Sequence, residues 1–115
     1  MAITIKKVEK WTRKKNITKL IKVLPDVDND IRIAIIKALG NTKDERAMNT
    51  LITYLRDPDA SIRFAAVEAL GTMGNGRALE FVRQLWNIEN DIELREKAVW
   101  AMCEIKAKMT TENKS

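Results

Sequence analysis

Apolar residues recur along the chain at helical spacing. Met48, Leu51, Ile52 and Leu55 form one stripe at intervals of three and four, the mark of an amphipathic helix. A second kind of helix is expected to open after Asp28, Asp59 and Asp91, each of which can accept hydrogen bonds from the free amides of a first helical turn. Asn16 and Asn75 are placed to cap helices of the first kind, and Thr42-Lys43-Asp44-Glu45 has the spacing of a capping box, with Thr42 as the cap. Gly40 and Gly71 are expected to close the second helices as left-handed residues. The pattern predicts paired helices joined by short turns.

The pairs repeat. Shifted by 31 positions, Leu20–Gly40 falls on Leu51–Gly71, with identities at Leu20/Leu51, Ile21/Ile52, Leu24/Leu55, Asp26/Asp57, Asp28/Asp59, Ile31/Ile62, Arg32/Arg63, Ala34/Ala65, Ala38/Ala69, Leu39/Leu70 and Gly40/Gly71. Chance would supply only about one or two such matches, so the segment is duplicated. A third copy carries one extra residue in its connection. Val82 and Trp86 correspond to Leu51 and Leu55. After the insertion Asp91, Leu94, Arg95, Ala98, Val99, Ala101 and Met102 correspond to Asp59, Ile62, Arg63, Ala66, Val67, Ala69 and Leu70. Cys103 then stands where the earlier copies have glycine, so the last helix is expected to run on to about Lys108. Small residues inside the second helices (Ala34, Ala38, Ala65, Ala66, Ala69, Ala98, Ala101) allow close approach. A two-helix unit cannot bury its apolar face alone, whereas stacked units bury a continuous core.

Composition narrows the chemistry. The 115 residues hold no histidine and one cysteine, which removes histidine-based acid–base and nucleophile systems, histidine-ligated metals, multi-cysteine zinc sites and disulfide frameworks. The net charge of +5 is uneven. Residues 1–22 carry eight basic residues against Glu9, net +7, and the rest is net −2. Lys6, Lys7, Lys10, Arg13, Lys14 and Lys15 thus form a basic patch, which is either a solvated helix face or a contact for nucleic acid, an acidic protein or a membrane surface. Lys6 and Lys7 interrupt the only N-terminal apolar residues, so no signal peptide is expected. No apolar run approaches the ~18 residues of a membrane span. With a single thiol, these features point to the cytosol.

At D-x-D-x-x-I-R-x-A…A-L-G the chain resembles the HEAT-like repeats, specifically the short units of the phycobilisome-lyase type, over about residues 16–105. The resemblance implies an all-α fold: a right-handed α-solenoid, or α-α superhelix, of about three two-helix repeats, with the second helices lining a concave face. It also implies a hydrogen-bonded ladder between units, with Asp26/Arg32, Asp57/Arg63 and Glu89/Arg95 as its pairs. The resulting organisation is a capping segment at 1–15, repeats at 16–41, 42–74 and 75–108, and a polar, flexible tail at 109–115. In the cap, Ile5, Val8 and Trp11 share one stripe, and Trp11 is expected to pack on the first repeat.

Positions one and five residues after each motif arginine should face the groove. They are Ile33/Lys37, Phe64/Glu68 and Glu96/Trp100. Phe64 and Trp100 there either anchor a partner or are covered by the array itself. Trp86 and Cys103 read as core. Glu68, Glu96 and Glu104 are not paired as an acid and a base, and Gly74-Asn75-Gly76 lacks the strand and lysine of a phosphate loop. No catalytic residue, metal or cofactor is therefore expected. The reading is a non-catalytic module binding a protein or peptide, as a monomer or weak homodimer. Alternatives are nucleic-acid binding through the basic end and an accessory, lyase-like or chaperone role. A metal-dependent hydroxylase with such repeats would need the histidines that are missing.

Overall fold

In the computed structural model, which describes residues 2–113, the helices are α1 (Ile5–Arg13), α2 (Ile17–Val23), α3 (Asn29–Gly40), α4 (Glu45–Tyr54), α5 (Ala60–Met73), α6 (Leu79–Ile88) and α7 (Ile92–Asn113). Short 3-10 turns at Leu24–Asp26 and Gly76–Ala78 extend α2 and precede α6. The second helices form a row in which α1 packs on α3, α3 on α5 and α5 on α7. Helices α2, α4 and α6 form the other layer, so the Cα trace is a slab of 43 × 37 × 17 Å. The molecule is an all-α solenoid. Among the described residues no helix is long and apolar enough to cross a membrane.

The caps of the second helices follow from their aspartates. Asp28 accepts from the Ile31 amide at 3.1 Å, Asp59 from the Ser61 amide at 2.8 Å and Asp91 from the Leu94 amide at 3.0 Å. Asn16 caps α2 through the Lys19 amide, and Asn75 caps the turn before α6 through the Arg77 amide. The capping box takes a different form. Asp44, not Thr42, caps α4 by accepting from the Arg46 amide. The Thr42 hydroxyl donates to the Leu39 carbonyl, so it serves the end of α3.

The glycines also do something other than expected. Gly40 and Gly71 lie inside α3 and α5 rather than beyond their ends. The left-handed residue that closes α5 is Gly74, at φ 71°. Gly40 and Gly71 instead mark where neighbouring helices touch. A Cβ on Gly40 would lie 2.7 Å from the Ala69 Cβ and 2.8 Å from its Cα, and one on Gly71 would lie 3.0 Å from the Ala101 Cα. The helix row can close to this distance only without a side chain at those places. In the third unit the same register position is Cys103, which is exposed and not buried in the core, because no further helix packs on that side of α7 among the described residues. Helix α7 continues to Asn113, past the point at which a tail beginning at residue 109 was expected. Residues 114 and 115 of that tail lie outside the described residues.

The core runs through both layers. Leu20, Leu24, Ile36, Leu39, Leu51, Ile62, Leu70, Leu94 and Ile105 are all essentially inaccessible to solvent. Val8 and the half-buried Trp11 bring α1 onto this core, which closes the N-terminal end of the stack.

Candidate partner-binding face

Helix α5 is enclosed by α3, α4 and α7, and beyond its first turn and the partly exposed Arg63 the stripe that reaches solvent is Phe64, Glu68 and Thr72, continuing from Ser61. That stripe meets α7. The Lys97 ammonium lies 4.5 Å from the centroid of the Trp100 ring and 5.3 Å from that of Phe64, and it pairs with the Glu68 carboxylate at 3.2 Å. The Trp100 ring occupies the same gap that lets the helices approach, since a Cβ on Gly71 would lie 2.5 Å from its Cζ3. Phe64, Glu68, Lys97 and Trp100 are each half-buried. The result is two aromatic rings and a carboxylate, drawn from successive units, around one cation.

Of the six groove positions read from the sequence, Phe64, Glu68 and Trp100 thus come together. Glu96 is exposed, and its neighbour Lys97 is the residue that reaches across to α5. The alignment carried a signal for this. Lys97 corresponds to Ala34 and Ala65, so a long cation replaces a methyl group in the last unit only. Ile33 is half-buried on α3, and Lys37 borders a shallow groove with Ile5, Glu9 and Arg13, between α1 and α3. The basic patch lies on α1 and the turn after it. Lys6, Lys10, Arg13, Lys14 and Lys15 are exposed and Lys7 is half-buried.

The ladder residues are placed differently from the expected pairs. Each motif arginine reaches main-chain carbonyls of its own inter-helix loop, the groups left unsatisfied where a helix ends. Arg32 donates to Leu24, Pro25 and Val27, Arg63 to Asp57 and Pro58, and Arg95 to Trp86 and Glu89. The six-residue spacing therefore pairs Arg63 and Arg95 with the backbone oxygens of Asp57 and Glu89, not with their carboxylates. Asp57 uses its carboxylate on the Asp59 amide, and Asp26 is exposed.

Two links between units involve the motif arginines. Arg32 donates to the Asn29 side chain, which in turn donates to Asp59 at 2.8 Å. Arg63 pairs with Glu89, Nε to Oε1 at 2.9 Å and Nη2 to Oε2 at 3.3 Å, with side-chain exposures of 20% and 8%. Burial raises the Glu89 carboxyl pKa, but the hydrogen bond from Arg63 and the amides of Asp91 and Asn90 outweigh it and leave the group below its ordinary range. Trp86 is half-buried rather than fully in the core, because its ring stacks under the Arg95 guanidinium at 4.6 Å.

A cleft of about 840 Å³ that the repeat pattern did not reveal lies between α4 and α6, lined by Ile52, Leu55, Phe81, Ile88, Arg63 and Glu89 among others. Helix α6 packs chiefly on α7 and the turn before it, so the layer of first helices opens here. The extra residue in the third connection was the only sequence mark of that break. Among the described residues no group of acidic, histidine or cysteine side chains could hold a metal ion.

Repeated helix pairs, arginines binding loop carbonyls and a continuous row of packed second helices define an α-solenoid. The family model for HEAT repeats matches residues 17–103, and the chain belongs to that family. HEAT repeats are generally protein-interaction scaffolds and are typically non-catalytic. None of the curated proteins compared with the chain matches it.

Proposed function

We propose that the chain is a non-catalytic cytosolic module that binds a protein or peptide on the concave face formed by α3, α5 and α7. The observation that carries this reading is the half-exposed pair of rings, Phe64 and Trp100, on the solvent-facing stripe of the second helices. Aromatic side chains in a recess supply much of the affinity of such interfaces. The stacking positions repeat between units while this face varies, as expected where packing holds one set and recognition the other. Lys37 and Ile33 extend the face toward α1.

The test compares capture of interacting proteins by the wild-type chain with capture by Phe64→Ala and Trp100→Ala. A variant on the opposite layer, Phe81→Ser, serves as control. Each aromatic truncation is expected to weaken the specific partner by about 1–3 kcal/mol and the control to leave it unchanged. Retention by both aromatic variants with loss in Phe81→Ser would move the interface to the cleft between α4 and α6. Abolition by charge reversal at Lys6, Lys10 and Arg13, with a steep fall in affinity as salt rises, would instead favour nucleic acid at the basic end.

A further inference from the structure

The arrangement around Lys97 has the composition of a receptor for an alkylammonium group. Two aromatic faces and a carboxylate converge on one nitrogen, within the distances at which ring quadrupoles and a counter-charge attract a cation. The rings come from different helices, so the recess that Lys97 fills between them is set by the packing of α5 on α7. Its occupant is a partly exposed lysine side chain. The stem of Lys97 can swing to solvent, and each contact it gives up is of the weak, partly exposed kind. With Lys97 away, the charge beside the rings is mainly acidic, and the nearest other cation on that side of α7, Lys108, is held at the far end of the stripe by the Thr72 carbonyl at 2.6 Å. Glu93, Lys97, Trp100 and Glu104 share one side of α7 at i, i+4, i+7 and i+11, and Glu68 faces them from α5. A positively charged segment would find both an anchor point and a favourable field there. An acidic segment would meet three carboxylates.

We infer that this face binds the ammonium of a lysine, or of a methylated lysine, on a basic partner segment, and that Lys97 fills the recess until the partner side chain displaces it. The inference rests on the reading of the second-helix face as the partner surface and names the chemistry of its anchor. Self-occupation divides the apparent affinity for an external cation by the fraction of molecules in which the recess is open. Lys97 thereby sets a threshold that a lone amine in solution does not pass and a segment with further contacts does.

The experiment follows the indole N–H signals of the folded chain by two-dimensional NMR while tetramethylammonium chloride or N-acetyl-lysine amide is added, with sodium chloride as the ionic-strength control. Trp11 and Trp86 act as internal references for Trp100. In Lys97→Met, which keeps the aliphatic stem, the Trp100 signal is expected to shift saturably at roughly tenfold lower cation concentration than in the wild type. Adding Glu68→Gln or Phe64→Leu to that variant should reverse most of the gain. Equal titration of wild type and Lys97→Met overturns the inference, and so does a shift that sodium chloride reproduces or that survives both second substitutions. The two readings fail separately. If the recess takes up tetramethylammonium but Phe64→Ala leaves partner capture intact, the partner surface lies elsewhere and the cation site stands. If capture requires Phe64 and Trp100 while Lys97→Met titrates like the wild type, the cation site alone is wrong.

Discussion

The Trp100 indole lies in the space left by the missing side chain of Gly71, where a Cβ would be 2.5 Å from the ring. One position thus serves two purposes. It lets α5 and α7 close, and it forms the floor on which an aromatic of the candidate site rests.

Two glycine substitutions should separate these purposes. In Gly40→Ala the new methyl meets the Cα and Cβ of Ala69, which only a helix displacement can relieve. A loss of about 1–3 kcal/mol is expected from chemical denaturation. Gly71→Ala meets the Trp100 ring at 2.5 Å and the Ala101 Cα and Cβ at 3.0 Å, so the ring must turn aside while α7 shifts by less than the backbone clash at Gly40 demands of its neighbour. Its stability loss should be smaller, while the Trp100 environment, followed by its indole N–H signal, changes more than that of Trp11 or Trp86.

The Arg63–Glu89 link makes stability depend on pH in a fixed direction. The Glu89 pKa is lowered in the folded state, so its contribution is present above the ordinary glutamate value of about 4.3 and disappears as pH falls through the lower folded value. Asp59, lowered by the Ser61 hydroxyl and amide, and Asp44, lowered by Arg46, act in the same direction. Glu89→Gln should cost about 1–3 kcal/mol at pH 7, and its denaturation midpoint should fall less steeply than the wild type's below pH 5. Parallel pH profiles would show that the link contributes nothing.

Arg32 and Arg63 bind loop carbonyls in the same manner, but only Arg63 also holds a carboxylate of the next unit. Arg63→Ala is therefore expected to destabilise the chain more than Arg32→Ala, because it also strands the nearly buried Glu89. Equal losses in thermal or urea unfolding would assign the whole effect to the loop carbonyls.

Cys103 is exposed on α7. It should react fully with a chromogenic disulfide reagent in the native protein, at a rate that denaturant changes little. Protection until unfolding would mean that this side of α7 is covered in solution, as by a second copy of the chain.

Helix pairing, the three copies and the aspartate caps could all be read from the sequence, because each depends on local spacing or on a hydrogen bond spanning two or three residues. Asp28, Asp59 and Asp91 could be assigned as caps for that reason. The purpose of Gly40 and Gly71 could not, since a glycine that closes a helix and one that admits a neighbouring helix look alike along the chain. The ladder shows the same limit. A spacing of six residues brings Arg63 near Asp57, but whether it meets the carboxylate or the carbonyl depends on how the loop turns, and its partner Glu89 lies 26 residues away. Lys97 marks the clearest division. Sequence alone determined that Phe64 and Trp100 occupy variable positions of the second helices. Only the packing of α5 on α7 decided that a lysine at an alanine position would reach between them, because that contact depends on the distance between two helices and not on the period within either.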